Sequence, residues 1–541
     1  MSTILPTPVR VNDAELLRLA ATPRRLLFHN LDRVPAFAPL ILVCCILPAY
    51  QLLTSPSLNE ESSLWGLRSL ASANAGAGWS AKLQPGRSET GQPLIFQPPL
   101  AAWLNGAVVQ SFGSSHPLSA SLVSLVAIGL ATWLATRCTW RIGGAKTALI
   151  AALLMCCHPQ VLESAIIPAN YSIGIFFFLA SIFGLQRHLQ RTEPDLSFSL
   201  AASGIAWGLS LLAIGPIALM IPLIFLMHVM MYGHGSTDQS GSTQLRPDWR
   251  AFQSTLIFSI IGLAVGGWWQ VMMLSQYGTT FLHSWWAGLP VECLLREESE
   301  VKANLCPILH TSWNQWLNQS ALLIPWMIAG LVRAVQECRS PINESIRRRY
   351  QLLVLCWLVT FSGRIISDFG GTTAVANTSL WNVAMLTPTV LLASLGFGSL
   401  IERKIPHQGE FLLMTGVIGM SSFWISSSPA LGLLGAVLAI IFLSFGPRII
   451  RMSEGYEPRW TEASWRRLLK LTIYGSLAVS LWMGIGSRSV KSPDQRRFVE
   501  LKNRLGTLPE IQRISLIASR DPVPAGLMYL LRSRWPNADI V

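Results

Sequence analysis

The fold class this sequence predicts is an all-α polytopic membrane protein, and three observations predict it. Of the 541 residues, 51% are hydrophobic and only 13% charged, where a soluble chain of this size needs roughly a quarter charged to cover its surface. Apolar windows long enough to cross a bilayer recur from residue 36 to residue 486. The 21 tryptophans suit a chain with many membrane interfaces, where indoles gather. About 35 mostly polar and basic residues precede the first apolar run, too many for the n-region of a usual cleavable signal peptide.

Thirteen spans are expected, near 36–54, 118–136, 142–157, 166–186, 196–213, 216–232, 253–275, 320–337, 350–364, 379–400, 410–426, 429–446 and 468–486. The positive-inside rule checks that threading, because one span too many or too few scrambles the alternation of charge. With the N-terminus in the cytoplasm, 25 of the Lys and Arg residues fall in cytoplasmic segments and 6 in exterior ones, with 10 in the tail 487–541. The net charge of +13 is therefore spent on topology, and nucleic acid is not expected as a partner.

Three regions are then exterior: the loop 55–117, the loop 276–319 and the tail. The domain order is a cytoplasmic segment 1–35, a transmembrane domain 36–486 and a small exterior α/β module 487–541. In that module "DQRRFVELKNRLG" and "PAGLMYLLRSRW" pattern as helices and "IQRISLIAS" as a strand. Within the first exterior loop, "NEESSLWGLRSLA" sets Leu64, Leu67 and Leu70 or Ala71 on one helical face. Asn59 is placed to cap that helix, and Glu60 and Glu61 lie at its positive end. This is the pattern of a helix lying along the membrane surface. Further on, "IFQPPLAAWLNG" (95–106) carries two prolines, Pro98 and Pro99, which stop any helix before them and pre-set the next. The apolar segment 99–112 after them is too short to span and reads as re-entrant or interfacial.

The order of these pieces resembles the GT-C glycosyltransferases of the dolichyl-phosphate-mannose protein mannosyltransferase and aminoarabinose-transferase superfamily. The residues that carry the likeness are Gly78–Trp79, "FQPPLAAWLNG" at 96–106, "SFG" at 111–113, Gly215–Pro216 within "LSLLAIGPIALMIPL" (209–223), and Pro388 in "LWNVAMLTPTVLLAS". They lie mostly within 35–232. The resemblance implies an integral membrane enzyme that takes a sugar from a polyprenyl-phosphate carrier and passes it to a lipid, glycan or protein acceptor on the exterior face of the cell membrane. No cofactor is expected, and no metal. The nine histidines show no ligand spacing.

Carried over residue by residue, the resemblance makes Glu60 the general base and Glu61 its support. The register that starts at Asn59 would put an amide where a carboxylate is needed. Asn59, Gln97, Asn170, Arg68 and Arg364 become candidate substrate contacts, with Lys82 and Arg87 as further exterior cations. The sequence also departs from the family. The Arg after its acidic pair is Ser62 or Ser63, its Glu-Lys before the first Pro is Phe96–Gln97, its second acidic residue is Asn170, and the Lys of its Thr-Lys-Gly-Pro stretch is Ile214. Read without the resemblance, Glu60 and Glu61 are equally two solvated carboxylates at a helix start, Gln97 a polar residue at a helix end, and Asn170 a cap. His158 and His283 read as interfacial residues. Two other functions stay open: a catalytically degenerate scaffold or lipid-binding protein, and a transporter of a lipid-linked substrate. The few ionisable residues within the spans weigh against the transporter.

Of the nine cysteines, Cys44, Cys45, Cys156, Cys157 and Cys356 fall in apolar helices and are expected to pack there. Cys293 and Cys306 share one exterior loop and are expected to pair in an oxidising compartment, closing a short loop with a contribution of about 3 kcal/mol. Mass mapping of protein from native membranes should recover a disulfide-linked peptide; two free thiols would refute the pairing.

Overall fold

The computed structural model describes residues 98–402, apart from 113–116, 167–169, 190–197, 233–234, 238–242, 246–248, 287–322, 340–343 and 370–374, together with 46, 49, 513–514, 531 and 539–540. The chain runs α1 (Leu100–Phe112), α2 (Pro117–Cys157), α3 (Pro159–Ile166), α4 (Asn170–His188) and α5 (Phe198–Ile214). A 3-10 turn (Gly215–Leu219) leads to α6 (Met220–Tyr232). A short hairpin of β1 (Gly235–Thr237) and β2 (Thr243–Leu245) precedes α7 (Trp249–Gly262), a π-turn (Leu263–Gly267) and α8 (Trp268–Trp286). Then come α9 (Ile324–Arg339), α10 (Glu344–Phe369) and α11 (Val375–Glu402). Near the C-terminus β3 (Arg513–Ile514), inside the strand expected from "IQRISLIAS", pairs in parallel with β4 (Asp539–Ile540). Apart from Ile46, Ala49 and Leu531, the rest of the tail, the spans expected at 36–54, 410–426, 429–446 and 468–486, and the Cys293–Cys306 pair lie outside the described residues.

Among the described residues three segments are long and apolar enough to cross a membrane: Ser121–Cys156, Phe198–Met231 and Phe252–Thr279. The first two exceed a single crossing. Helix α2 has 41 residues, about 60 Å if straight, twice the hydrocarbon thickness. It breaks at Gly144, whose φ of 80° is left-handed. The sequence reading ends one span at 136 and begins the next at 142, whereas the described backbone stays helical through that interval and departs from helical geometry only at Gly144. One left-handed residue is enough to end one arm and begin the next. The second long segment breaks at Gly215 (φ 64°). There the Trp207 indole N–H donates to the Ala218 carbonyl at 2.8 Å. Eleven residues of straight helix would separate the two by about 16 Å, beyond an indole's reach, so the chain folds back at Gly215.

Helix α1 has 13 residues, about 20 Å, too short to span, as the sequence reading expects of 99–112. It packs on α2, α4 and α5. The core is built from α2, α4, α5, α10 and α11, with α9 laid along α11. At that last crossing a Cβ on Gly330 would collide with the Leu392 carbonyl and one on Gly396 with the Trp326 carbonyl, so the backbones meet directly. Small residues permit such contact between membrane helices, where packing replaces the hydrophobic drive. Large side chains facing outward, such as Leu256, Ile260, Leu263 and Val271 on α7 to α8, are exposed, which suits a surface against lipid.

Candidate active site

Two sequence motifs far apart in the chain meet at one end of the bundle. Pro98, the first residue of the double-proline corner, sits on the turn at Gly215: a Cβ built there would lie 3.2 Å from Pro98 Cγ. Gly215 is therefore doubly constrained, by a backbone only glycine adopts freely and by the ring above it. Pro216 follows at the start of the 3-10 turn, where its missing N–H costs nothing. Trp207 ties the turn back to α5 through Ala218. Leu100 and Ala101, the first residues of α1, are buried against this end. Trp103 on the next turn stacks on Trp268 of α8, centroids 6.3 Å apart.

The 3-10 turn leads directly to Met220, whose Cε would touch a Cβ on Gly363 at 3.5 Å. The Trp381 ring closes on the same glycine, at 2.5 Å from that Cβ position. Gly363 thus lets α10 approach α6 and α11 where the next residue, Arg364, brings a guanidinium. Arg364 is 1% exposed. A buried cation in a membrane domain is costly and marks a functional position more often than a structural one. Arg349, fifteen residues earlier on α10, lies about 22 Å away along the helix axis, so Arg364 belongs to the proline-corner end and Arg349 to the opposite end.

Of the other residues singled out from sequence, Asn170 is the first residue of α4, a cap-like place on the backbone, and its side chain lies outside the described residues. Asn59, Glu60, Glu61, Arg68 and Gln97 also lie outside them; Gln97 immediately precedes Pro98. Ile214, where the family has Lys, is buried and faces α4, where a Cβ on Gly174 would collide with its Cγ2. This position supplies packing and no charge. The sequence reading passes over Asn105 and Trp381, both fully buried at or near this end. A single amide inside "AAWLNGAVV" is the signal for the first; nothing in the pattern around Trp381 sets it apart from the other tryptophans. Among the described residues no group of three or more His, Cys, Asp or Glu side chains is placed to hold a metal.

His158 has a structural role that its sequence context does not reveal. It is packed inside the protein, 2% exposed, and it caps α3: the Gln160 N–H donates to its Nδ1 at 3.2 Å, while Leu162 N–H donates to its carbonyl at 3.1 Å. Burial takes this imidazole down to about 3, and the capping bond needs the Nδ1 lone pair that a proton would occupy.

The family model described as dolichyl-phosphate-mannose-protein mannosyltransferase matches residues 96–237, which include both motifs that meet at Gly215. The fold matches that of ArnT from Cupriavidus metallidurans, solved with undecaprenyl phosphate bound, at TM-score 0.54 and 13% identity over 93% of this chain and 85% of that one. Residues 96–237 therefore resemble that mannosyltransferase family, and the chain shares its fold with ArnT. A second solved structure, the oligosaccharyltransferase AglB from Archaeoglobus fulgidus in complex with an inhibitory peptide and a dolichol phosphate, has TM-score 0.48 at 12% identity over 93% of this chain and 64% of that one. No curated protein matches the sequence.

The α3 cap should be acid-sensitive. An unfolded His158 binds its proton near 6.5 and the folded one only near 3. Between those values the unfolded state holds more protons, so stability falls as pH falls and levels off below about 3. His158→Asn keeps an acceptor for the Gln160 N–H without titrating in this range. Thermal unfolding at pH 7 and pH 4 should show a smaller drop in Tm for the variant than for wild type; equal drops would contradict the assignment.

Proposed function

We propose that this protein is a membrane glycosyltransferase that moves a sugar from a polyprenyl-phosphate carrier to a lipid, glycan or protein acceptor at the exterior face of the membrane. The observation that carries the reading is the meeting of Pro98 with Gly215 at the end of the bundle that also holds the buried Arg364. A rigid corner and a glycine turn wall one side of a site, and a guanidinium suits the phosphate of a carrier. The undecaprenyl phosphate bound to ArnT is a lipid of the same chemical class.

In this reading the acceptor hydroxyl or amine attacks the anomeric carbon from the face opposite the phosphate. A bond forms between acceptor and sugar, the bond from sugar to phosphate oxygen breaks, and configuration inverts. Glu60 takes the acceptor's proton, with Glu61 beside it, and the electron pair leaves on the lipid phosphate, where Arg364 offsets the charge. Asn59, Arg68, Gln97 and Asn170 hold donor or acceptor. The charge threading supports a site on the exterior face.

A second reading has one observation in its favour. Ile214 is packed where the family carries a Lys, and a chain that kept the fold after losing that charge would be a scaffold or lipid-binding protein. Transfer of radiolabelled sugar from polyprenyl-phosphate carriers by the purified chain separates the readings. The enzyme should turn over; Glu60→Gln should lower the rate about 10²–10⁴-fold, and Arg364→Gln at least about tenfold. Equal background in wild type and both variants would support the scaffold. Movement of carrier across liposomes without transfer would support a transporter.

A further inference from the structure

At the end of the bundle opposite the candidate active site, cations gather. Arg141, just before the Gly144 break in α2, lies within electrostatic reach of Arg187 at the C-terminus of α4, Arg349 on α10 and Arg137 one turn back on α2. Among the described residues no carboxylate is among the charges acting on it. Glu337, whose charge acts on Cys338 beside it, is the one carboxylate whose side chain is described. Arg348 on the same turn of α10 acts on His228 near the end of α6, so three helices besides α2 bring positive or titratable groups to this end.

The cluster has a built geometry. The Arg141 guanidinium lies over the Phe183 ring of α4, 4.6 Å from its centroid. Arg349 Nη1 donates to the Arg141 carbonyl, which ties α10 to the break in α2. Gln186 and Arg187 stand three and four residues beyond Phe183, on the same face of α4 as the ring that Arg141 covers. Gln186 is 1% exposed. Among the described residues neither its amide nitrogen nor its amide oxygen has a hydrogen-bond partner, and the same holds for Arg141 Nη1 and Arg349 Nε.

A buried amide with both ends unused is costly, and so is a set of guanidiniums brought together at the edge of a low-dielectric region. One ligand class answers both: an anion with several acceptor oxygens, which guanidiniums bind in paired hydrogen bonds and an amide N–H completes. We propose that Arg141, Gln186, Arg187 and Arg349 form a binding site for a phosphate group, supplied by the headgroup of an anionic lipid in the leaflet at this end of the bundle. The positive-inside count makes that leaflet the cytoplasmic one, where basic pockets between membrane helices meet anionic headgroups. The site is about 22 Å along α10 from Arg364 and does not depend on the glycosyltransferase reading.

Native mass spectrometry of the full-length protein in mild detergent tests it. Phosphatidylglycerol and phosphatidylcholine are titrated separately, and inorganic phosphate is added in competition. Wild type should retain phosphatidylglycerol about tenfold more tightly than phosphatidylcholine. Arg141→Gln should abolish the preference, and Arg187→Gln should weaken it several-fold; the Arg187 side chain is exposed, so its loss leaves the core intact. If millimolar inorganic phosphate alone displaces the lipid and protects wild type but neither variant from thermal unfolding, the phosphate site stands and its source is soluble. Equal retention of both lipids by wild type, or a preference unchanged in both variants, would overturn it.

Discussion

The contact of Pro98 with the Gly215 turn organises this end of the molecule. It joins a loop-to-helix corner, whose φ is fixed by a ring, to a helix-to-helix turn that needs a left-handed residue. Neither partner tolerates adjustment, so the contact fixes where α1 starts and where α5 turns back toward α6. Everything near Arg364 depends on that placement. The 3-10 turn ends at Met220, Met220 meets Gly363, and Gly363 immediately precedes the buried arginine. A corner of softer residues would leave that wall free to shift by the ångström or so that separates a productive site from an idle one.

The two ends of the bundle carry cations for different physical reasons. Arg364 sits at the proline-corner end, buried next to the glycine that Trp381 and the start of α6 cover, where one charge can serve one phosphate. At the other end the charges of Arg137, Arg187 and Arg349 act on Arg141, a clustering of the kind the positive-inside rule leads one to expect at a single membrane face. Helix α10 carries both sets on one rod, Arg349 near its start and Arg364 about four turns later. Its rigidity holds the two regions at a fixed separation across most of a hydrocarbon thickness.

Much of this is legible in the sequence, and the reasons differ by feature. Helices α4 to α11 fall on apolar windows because in a bilayer hydropathy alone decides which segments stay helical. The shortness of α1 is readable from Pro98–Pro99 and the length of the apolar run after them. The break in α2 reads from sequence as a short loop after residue 136, since Arg137 and Arg141 look like loop charges; the helix carries both toward its break and only Gly144 leaves helical geometry. The capping role of His158 is not legible because its burial depends on α3 folding over it, which no local pattern reports. The neighbours of Arg364 are invisible for the same reason: Met220, Gly363 and Trp381 come from three segments, and only tertiary packing brings them together. Ile214 stands out in the sequence as a lost charge, and its packing against Gly174 gives that loss a physical form.

The account stands or falls on whether the proline corner and the glycine turn act as one unit. A double-mutant cycle of Pro98→Ala and Gly215→Ala, read by thermal unfolding of the full chain, measures that directly. Gly215→Ala alone should cost about 1–2 kcal/mol for the left-handed backbone, plus the crowding of its Cβ against the Pro98 ring. Removing the ring should relieve the second part, giving a coupling of about 0.5 kcal/mol or more between the two sites. Effects that add to within about 0.3 kcal/mol would mean that the two segments do not touch, and the site built on their meeting would have to be abandoned.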